Sequence, residues 1–211
     1  MKSVIMLVAA AALLVSPVAV QNANAQLELT LGAGLNTPLG EYGDQANLGY
    51  SLTTGLGYRV MHLLSLGAEL NYNGNKASDE VMATVDPDFD MSSSILQYAA
   101  VAKLMMPMGN HNVFAKGSVG SYRAAAKVTG PGYEAKFSTT ELGYGLGAGF
   151  LINTDKNSSF FVDVTWHHIA YSDASFSTNY FTYNLGAQIT FDLFKTSMRD
   201  KVQDDLDKLN D

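Results

Sequence analysis

The sequence predicts an all-β protein, a closed eight-stranded antiparallel up-and-down β-barrel that crosses a membrane. Three observations lead to this prediction. Apolar residues alternate with small or polar ones along eight segments, the period-two pattern of strands with two different faces. The connections between these segments alternate between short and long. Charged residues make up only 16% of the chain, whereas they make up about 25% of soluble domains.

The first 25 residues have the composition of a secretory signal peptide. Lys2 precedes an apolar run, and the segment closes on the small residues Ala23-Asn24-Ala25, the pattern of a cleavage site. We expect removal of residues 1–25, which leaves a barrel domain at 26–194 and a periplasmic C-terminal tail at 195–211. The chain has no cysteine and a formal net charge of −7, so we expect no disulfides and no nucleic-acid partner.

The first five strands follow from this alternation. The first three are the clearest, because each sets a row of leucine, alanine and tyrosine residues against small or polar residues. The fourth and fifth are joined by a short turn near Gly109, and the fifth is the weakest, since its apolar row is only Ala115, Gly117 and Val119. The segments are 27–36, 49–59, 64–73, 96–106 and 113–122.

The last three strands complete an even number. The sixth, 141–152, sets an apolar row against glycines at every second position from Gly143 to Gly149. The seventh is 160–167, and the eighth, "YNLGAQITFDLF" at 183–194, alternates almost without error. An even number of strands returns both ends of the barrel to the same side of the membrane.

The connections predict which side that is. Short turns are expected at 61–63, 107–112 and 153–159, and longer loops at 36–48, 74–93, 123–140 and 170–178. Outer-membrane barrels have short periplasmic turns and long extracellular loops. Both mature termini are therefore expected in the periplasm.

Aromatic residues indicate that the apolar row faces lipid. They concentrate near strand ends on that face and so predict two interfacial girdles. The opposite face is built from Gly, Ser, Thr, Asn and Gln with few charges, whereas the alternative, a soluble barrel or periplasmic sandwich, would present Lys and Glu to water there. The predicted girdle residues are Tyr50, Tyr58, Tyr72, Tyr98, Phe150, Phe160, Trp166 and Tyr183.

The few charges on the polar row predict a network in the barrel interior. Counting across the turn near Gly109 places Lys103 opposite Lys116, a like-charge pair that needs acids nearby. Glu69 and Asp163 are the first candidates, with Glu28 and Arg59 extending the cluster. Such a network is interpreted as a structural plug, because eight-stranded barrels are filled by side chains; a gate or ion path is the alternative.

The order of four segments, "GLNTPLGEYGD", "SLGAELNYN", "FAKGSVGSYR" and "FFVDVTWHHI", resembles the outer-membrane protein A and X-type superfamily of small β-barrels, often described as porin-family or outer-membrane β-barrel-domain proteins. The resemblance spans 26–194. It implies a monomeric protein of the Gram-negative outer membrane, in contact with lipid and lipopolysaccharide. The implied role is non-enzymatic and concerns membrane integrity or adhesion-like surface contact. A narrow conduit for small or apolar solutes and a lipid-modifying enzyme remain as alternatives.

The end of the eighth strand also resembles the signal that barrel-assembly machinery binds, with Asn184, Gly186, Ile189 and Phe191 in matching order. The resemblance implies this machinery and periplasmic chaperones as partners during biogenesis. Such signals usually end the chain, but here the tail 195–211 follows. Its apolar residues recur at helical spacing, so the tail is either a short amphipathic helix or a solvated extension.

Catalytic, cofactor and metal residues are not predicted. Lipid A deacylases carry a His, one residue, then Ser, whereas His167 and His168 precede Ile169 and Ala170. We expect His167 in the interior and His168 at the lipid interface. "DPDFD" at 86–90 begins like a calcium loop, but the required glycine position is Met91.

Overall fold

The computed structural model describes residues 26–83, 88–155, 157–171 and 177–192. Within these residues, eight antiparallel strands follow one another in chain order and form a closed barrel. The ring closes because β1 pairs with β8 from Gln26 opposite Asp192 to Leu39 opposite Asn179. The predicted fold class is confirmed. The strands are β1 (Gln26–Leu39), β2 (Gly49–Met61), β3 (Leu64–Lys76), β4 (Asp90–Met108), β5 (His111–Gly130), β6 (Tyr133–Asn153), β7 (Ser158–Ala170) and β8 (Ser177–Asp192).

The two faces of each strand have opposite environments. In β7, Phe160 and Val162 are 59% and 56% exposed on the outside, while Phe161 and Asp163 are 4% and 6% exposed on the inside. The pattern continues across the neighbouring strand, where Leu185 is 66% exposed. A continuous outer belt of exposed apolar residues is suited to hydrocarbon, not to water.

The interior is filled in layers. Near the short-turn end, Met105, Phe114, Leu151 and Phe161 form a buried apolar cluster. Near the other end, Ile95, Tyr122, Ile169 and Tyr180 form a second cluster. Along β4, β5 and β7, the charged residues of the polar row lie between these two clusters.

A short helix packs against the interior at the end with the longer connections. This helix, α1 (Glu41–Gln45), follows β1, and α2 (Asp79–Ala83) follows β3. The Tyr42 hydroxyl bonds to Asn75 Oδ1 at 3.1 Å and to Ser93 Oγ at 3.2 Å. Asn36 Nδ2 donates to the same Asn75 oxygen at 2.8 Å. No helix among the described residues is long and apolar enough to cross a membrane.

The expectation of a long loop at 123–140 is wrong. β5 and β6 continue through this segment as a hairpin, paired from Arg123 opposite Thr140 to Gly130 opposite Tyr133. A two-residue turn joins them at Pro131 and Gly132, where φ of Gly132 is +70°, a conformation that glycine adopts without strain. Beyond the barrel both faces of the hairpin meet water, so alternation is not required and the sequence does not show it.

Candidate functional site: a charged layer inside the barrel

The strand register brings the six predicted interior charges into one layer. Lys103 lies directly opposite Lys116 across β4 and β5. Glu69, from β3, and Asp163, from β7, reach the same level from other parts of the wall. The layer consists of Glu28, Arg59, Glu69, Lys103, Lys116 and Asp163, three carboxylates and three cations. Its formal charge is therefore zero.

Lys116 is the centre of this layer. Its Nζ donates to Asp163 Oδ2 at 2.9 Å and to Glu69 Oε2 at 3.4 Å. Lys116 and Asp163 are each only 6% exposed. Asp163 also accepts a bond from Asn184 Nδ2 at 3.2 Å. A buried cation with two carboxylates and further hydrogen bonds meets the condition under which buried charge is tolerated.

Arg59 and Glu28 form the second ion pair. Two guanidinium nitrogens of Arg59, Nη2 and Nε, donate to Glu28 Oε1 at 2.6 and 3.0 Å. The other carboxylate oxygen accepts from Ser65 Oγ at 2.9 Å. Both oxygens of Glu28, which is 1% exposed, therefore have donors, as a buried carboxylate requires.

Lys103 is held differently. Its Nζ donates to Gln188 Oε1 at 3.0 Å and lies 5.1 Å from the centre of the Phe114 ring. Among the described residues, no carboxylate lies within ion-pair distance of it. Of the two facing lysines, Lys116 forms ion pairs with carboxylates, whereas Lys103 forms a hydrogen bond to an amide oxygen and a cation–π contact with an aromatic ring.

The charged layer borders a small cavity. A cavity of about 40 Å³ adjoins Glu28, Lys103 and Lys116, which is comparable with the volume of a single water molecule in the liquid. The cluster that contains Phe114 and the cluster that contains Tyr122 pack on either side of the charged layer. With ion pairs held between two packed clusters, this arrangement can fix the register of the barrel.

His167 lies in the barrel interior next to Tyr122 and Tyr180 of the second buried cluster. Its ring stacks on Tyr180 with centroids 4.6 Å apart and an interplanar angle of 13°. Its two nitrogens are 3.2 Å from the Tyr122 hydroxyl and 3.2 Å from Thr182 Oγ1. The His167 side chain is 1% exposed, so it is enclosed by the residues of the barrel interior.

The residues predicted for the girdles point outward at both ends of the barrel. Tyr50 and Tyr72 are 6.0 Å apart, and Tyr50, Tyr98 and Tyr183 are each about half exposed. His168 lies beside Trp166, with ring centroids 5.8 Å apart. Tyr144 joins them at 5.7 Å from Trp166. Tyr144 is not among the predicted girdle residues, although its position on the lipid-facing row is the signal that identifies it.

The residues that resemble an assembly signal have structural contacts of their own. Asn184 bonds to Asp163 in the charged layer. A side chain at Gly186 would come within 2.6 Å of Gly32 Cα and of the Phe161 ring, so glycine is needed at the seam between β1 and β8. Ile189 and Phe191 are 40% and 45% exposed on the outer face.

Sequence reasoning missed Gln188 and Ser65 as partners of the interior charges. Both lie on the predicted polar row, but nothing in the order of residues links them to Lys103 and Glu28. Among the described residues, no group of three or more His, Asp or Glu side chains could hold a metal ion. Asp86 of the acidic segment, the signal segment 1–25 and the tail 195–211 lie outside the described residues.

Comparison with known proteins points to one family. The family model for the outer membrane protein β-barrel domain matches residues 8–191. Neisserial surface protein A has a similar structure at 16% identity, over 80% of this chain and 98% of that chain, with a TM-score of 0.57. A major outer membrane protein from Thermus thermophilus is similar at 15% identity over 79% and 99% of the two chains, with a TM-score of 0.55.

The attachment invasion locus protein Ail of Yersinia pestis also matches, at 18% identity over 79% of this chain and 97% of that chain, with a TM-score of 0.49. At these identities the likeness to solved structures is one of fold. No curated protein sequence matches the chain.

Proposed function

The chain belongs to the family of outer membrane protein β-barrel domains, and from this premise we propose that it is a non-enzymatic structural barrel that stabilises the outer membrane and presents a contact surface outside the cell. The barrel lies in the bacterial outer membrane with its apolar belt in lipid. The finer role rests on the packing of the interior. A charged layer with zero formal charge, held between two packed clusters, is better suited to a structural scaffold than to a transport path.

The interior supports a plug over a conduit. Every cation of the charged layer has a partner, in two cases a carboxylate and in the third an amide oxygen. Moving an ion past this layer would separate buried pairs, and removing one partner of such a pair costs about 3–5 kcal/mol. The conduit alternative is therefore disfavoured, and we expect no steady conductance from the purified barrel in planar bilayers.

The environment of His167 supports a role without catalysis. A general base must reach the proton that it removes, whereas His167 is enclosed by Tyr180, Tyr122 and Thr182. We expect lipid A to have the same mass spectrum whether the protein is absent or overproduced.

The β5–β6 hairpin supports a surface role. It extends past the barrel on the side of the longer connections, and Phe137 and Tyr133 on it are 65% and 53% exposed. We place this side outside the cell and both termini in the periplasm, in keeping with the short turns of outer-membrane barrels. Assembly would use the barrel-assembly machinery and periplasmic chaperones, and the folded protein would be a monomer.

A deletion strain tests the proposal. We expect the loss of the gene to increase uptake of a hydrophobic dye and to reduce attachment to host surfaces. The full chain should restore both properties. A variant in which 128–135 are replaced by Asn-Gly, a sequence suited to a two-residue hairpin turn, should restore only the barrier. Unchanged dye uptake and attachment in the deletion strain would refute the proposed role, and a steady conductance would favour the conduit.

A further inference from the structure

A basic groove crosses the outer wall of the barrel just beyond the girdle. It has a volume of about 680 Å³ and runs over β3, β4, β5 and β6, next to Tyr50 and Tyr72. The cations that line it are Lys76, Arg123, Lys127 and Lys136. These four residues define what we call the basic groove.

All the described cations that lie outside the charged layer are gathered in this groove. The described residues include seven lysines and arginines. Three of them belong to the charged layer, and the other four all line the basic groove. In a chain with a formal net charge of −7, the groove is a local reversal of sign, and such a surface attracts anions.

The register of four strands builds the groove. Its floor is a row of short side chains in which Gly74 pairs with Ser94, Ser94 with Ala125, and Ala125 with Ser138. The adjacent row farther from the membrane is Lys76, Ser92, Lys127 and Lys136. The adjacent row nearer the membrane is Tyr72, Leu96, Arg123 and Thr140. The row farther from the membrane is thus mainly cationic. The row nearer the membrane combines the cation Arg123 with the apolar side chains of Tyr72 and Leu96.

The cations of the groove are available to a ligand. Lys76 and Arg123 are exposed and have no ion pair within the part of the chain that the structure describes. Lys127 and Lys136 share the carboxylate of Glu134, at 3.6 and 2.8 Å, yet their side chains are 44% and 68% exposed. On the outward-facing rows of the described strands β3 to β6, the acids are Asp90 of β4 and Glu134 of β6, so the four cations exceed the carboxylates there.

We propose that the basic groove binds the phosphorylated headgroup of an outer-leaflet lipid, the lipid A part of lipopolysaccharide. Phosphate oxygens accept charge-assisted hydrogen bonds from Lys76, Lys127 and Arg123, while the sugar rests on the row of small residues. An acyl chain then descends over Leu96 and Tyr72 into the hydrocarbon. The proposal rests on the proposed function in one respect, since it takes the hairpin side of the barrel as the outer one.

Binding of purified lipid A to the folded, full-length protein in a zwitterionic detergent tests this site. We expect native mass spectrometry to detect bisphosphorylated lipid A on the wild type and about tenfold weaker binding by a Lys76→Gln/Arg123→Gln/Lys127→Gln variant, since charge-assisted bonds are the strongest available here. Lipid A stripped of its phosphates should bind both proteins weakly and equally. Glu134→Gln should strengthen binding, because it removes the competing carboxylate.

A steric variant tests the groove without changing its charge. Ala125→Trp should fill the floor and weaken lipid A binding, whereas the matched control Ala148→Trp, on the exposed outer wall of β6, should not. Migration on unheated gels reports whether each variant has folded. Equal binding of lipid A by all variants would overturn the proposal. The proposal would also be overturned if the variants lost binding of phosphatidylglycerol or of a sulfated glycan to the same extent as binding of lipid A, because this would show a general anion-binding surface.

These results are separate from the test of function. If the barrel is folded, does not conduct and supports the membrane barrier, but its binding of lipid A does not depend on the phosphates, only the inferred site is refuted. Loss of the barrier role with retained binding would refute only the proposed function.

Discussion

Lys103 and Lys116 face each other directly across β4 and β5, yet their partners belong to different chemical classes. Lys116 contacts the carboxylates of Asp163 and Glu69, whereas Lys103 contacts the amide oxygen of Gln188 and the ring of Phe114. Two like charges side by side repel each other. The structure offsets this repulsion by giving the acids to one lysine and neutral, electron-rich groups to the other.

This asymmetry predicts unequal costs for removing the two lysines. Lys116→Met should lower the free energy of unfolding by about 3–5 kcal/mol, because it leaves buried carboxylates without a cation. Lys103→Met should cost less, about 1.5–3 kcal/mol, because it removes one hydrogen bond from a charged group and leaves no buried carboxylate without its cation. Urea unfolding in lipid vesicles, followed by the fluorescence of the single tryptophan, measures both. Adding Asp163→Asn to Lys116→Met should recover part of the loss, and equal costs for the two lysines would contradict the assignment.

A charge on the outer wall tests its contact with hydrocarbon. Leu31 is 54% exposed and lies opposite Thr54 and Ala187, midway between the girdles. Leu31→Arg should lower the free energy of unfolding by about 2–4 kcal/mol, the cost of arginine at the bilayer midplane. The control is Phe137→Arg on the hairpin beyond the barrel, which should change stability by less than about 0.5 kcal/mol. Tolerance of arginine at both positions would indicate a wall that faces water.

Two substitutions distinguish the packing role of the residues that resemble an assembly signal from their role in assembly in cells. Gly186→Ala places a methyl group against Gly32 and Phe161 at the β1–β8 seam, and overpacking of this kind costs about 1–3 kcal/mol. Refolding of the purified protein should therefore be impaired. Phe191→Ala, on the outer face, should leave refolding in detergent near the wild-type level but reduce the amount assembled in cells. Normal assembly of Phe191→Ala in cells would remove the signal as an explanation of this position.

The β6–β7 turn predicts a pH effect. Asp155 Oδ1 accepts the backbone N–H groups of Asn157 and Ser158, both at 2.7 Å, and these bonds hold the pKa of Asp155 below its usual range. A carboxyl with a lowered folded-state pKa stabilises the fold above its unfolded pKa, about 3.9, and loses that contribution as pH falls through the folded value.

The wild type should accordingly be more stable than Asp155→Asn at neutral pH. The difference should shrink as the pH is lowered below about 4. Unfolding midpoints at a series of pH values measure this difference. A constant difference from pH 7 down to acid values would show that ionisation of Asp155 does not stabilise the turn.

The strands of the barrel wall could be predicted because a lipid-facing wall imposes strict alternation. From Tyr183 to Phe191 every second side chain must suit hydrocarbon and every other one must suit the interior, so each residue carries a signal about its face. The β5–β6 extension was not predicted because this alternation is absent from it. Around Lys127 and Lys136 both faces meet water, and no alternation is imposed.

The composition of the charged layer could also be predicted, since the six charges are conspicuous on a row of glycine, serine and asparagine. The sequence alone determined that Lys103 and Lys116 would be neighbours, because a single turn sets their register. Only the tertiary structure decided that Lys116 meets Asp163 and Glu69 while Lys103 meets Gln188, and that four cations gather at one groove. Those contacts cross the barrel or span several strands, and they depend on how the sheet twists and closes, which local sequence does not specify.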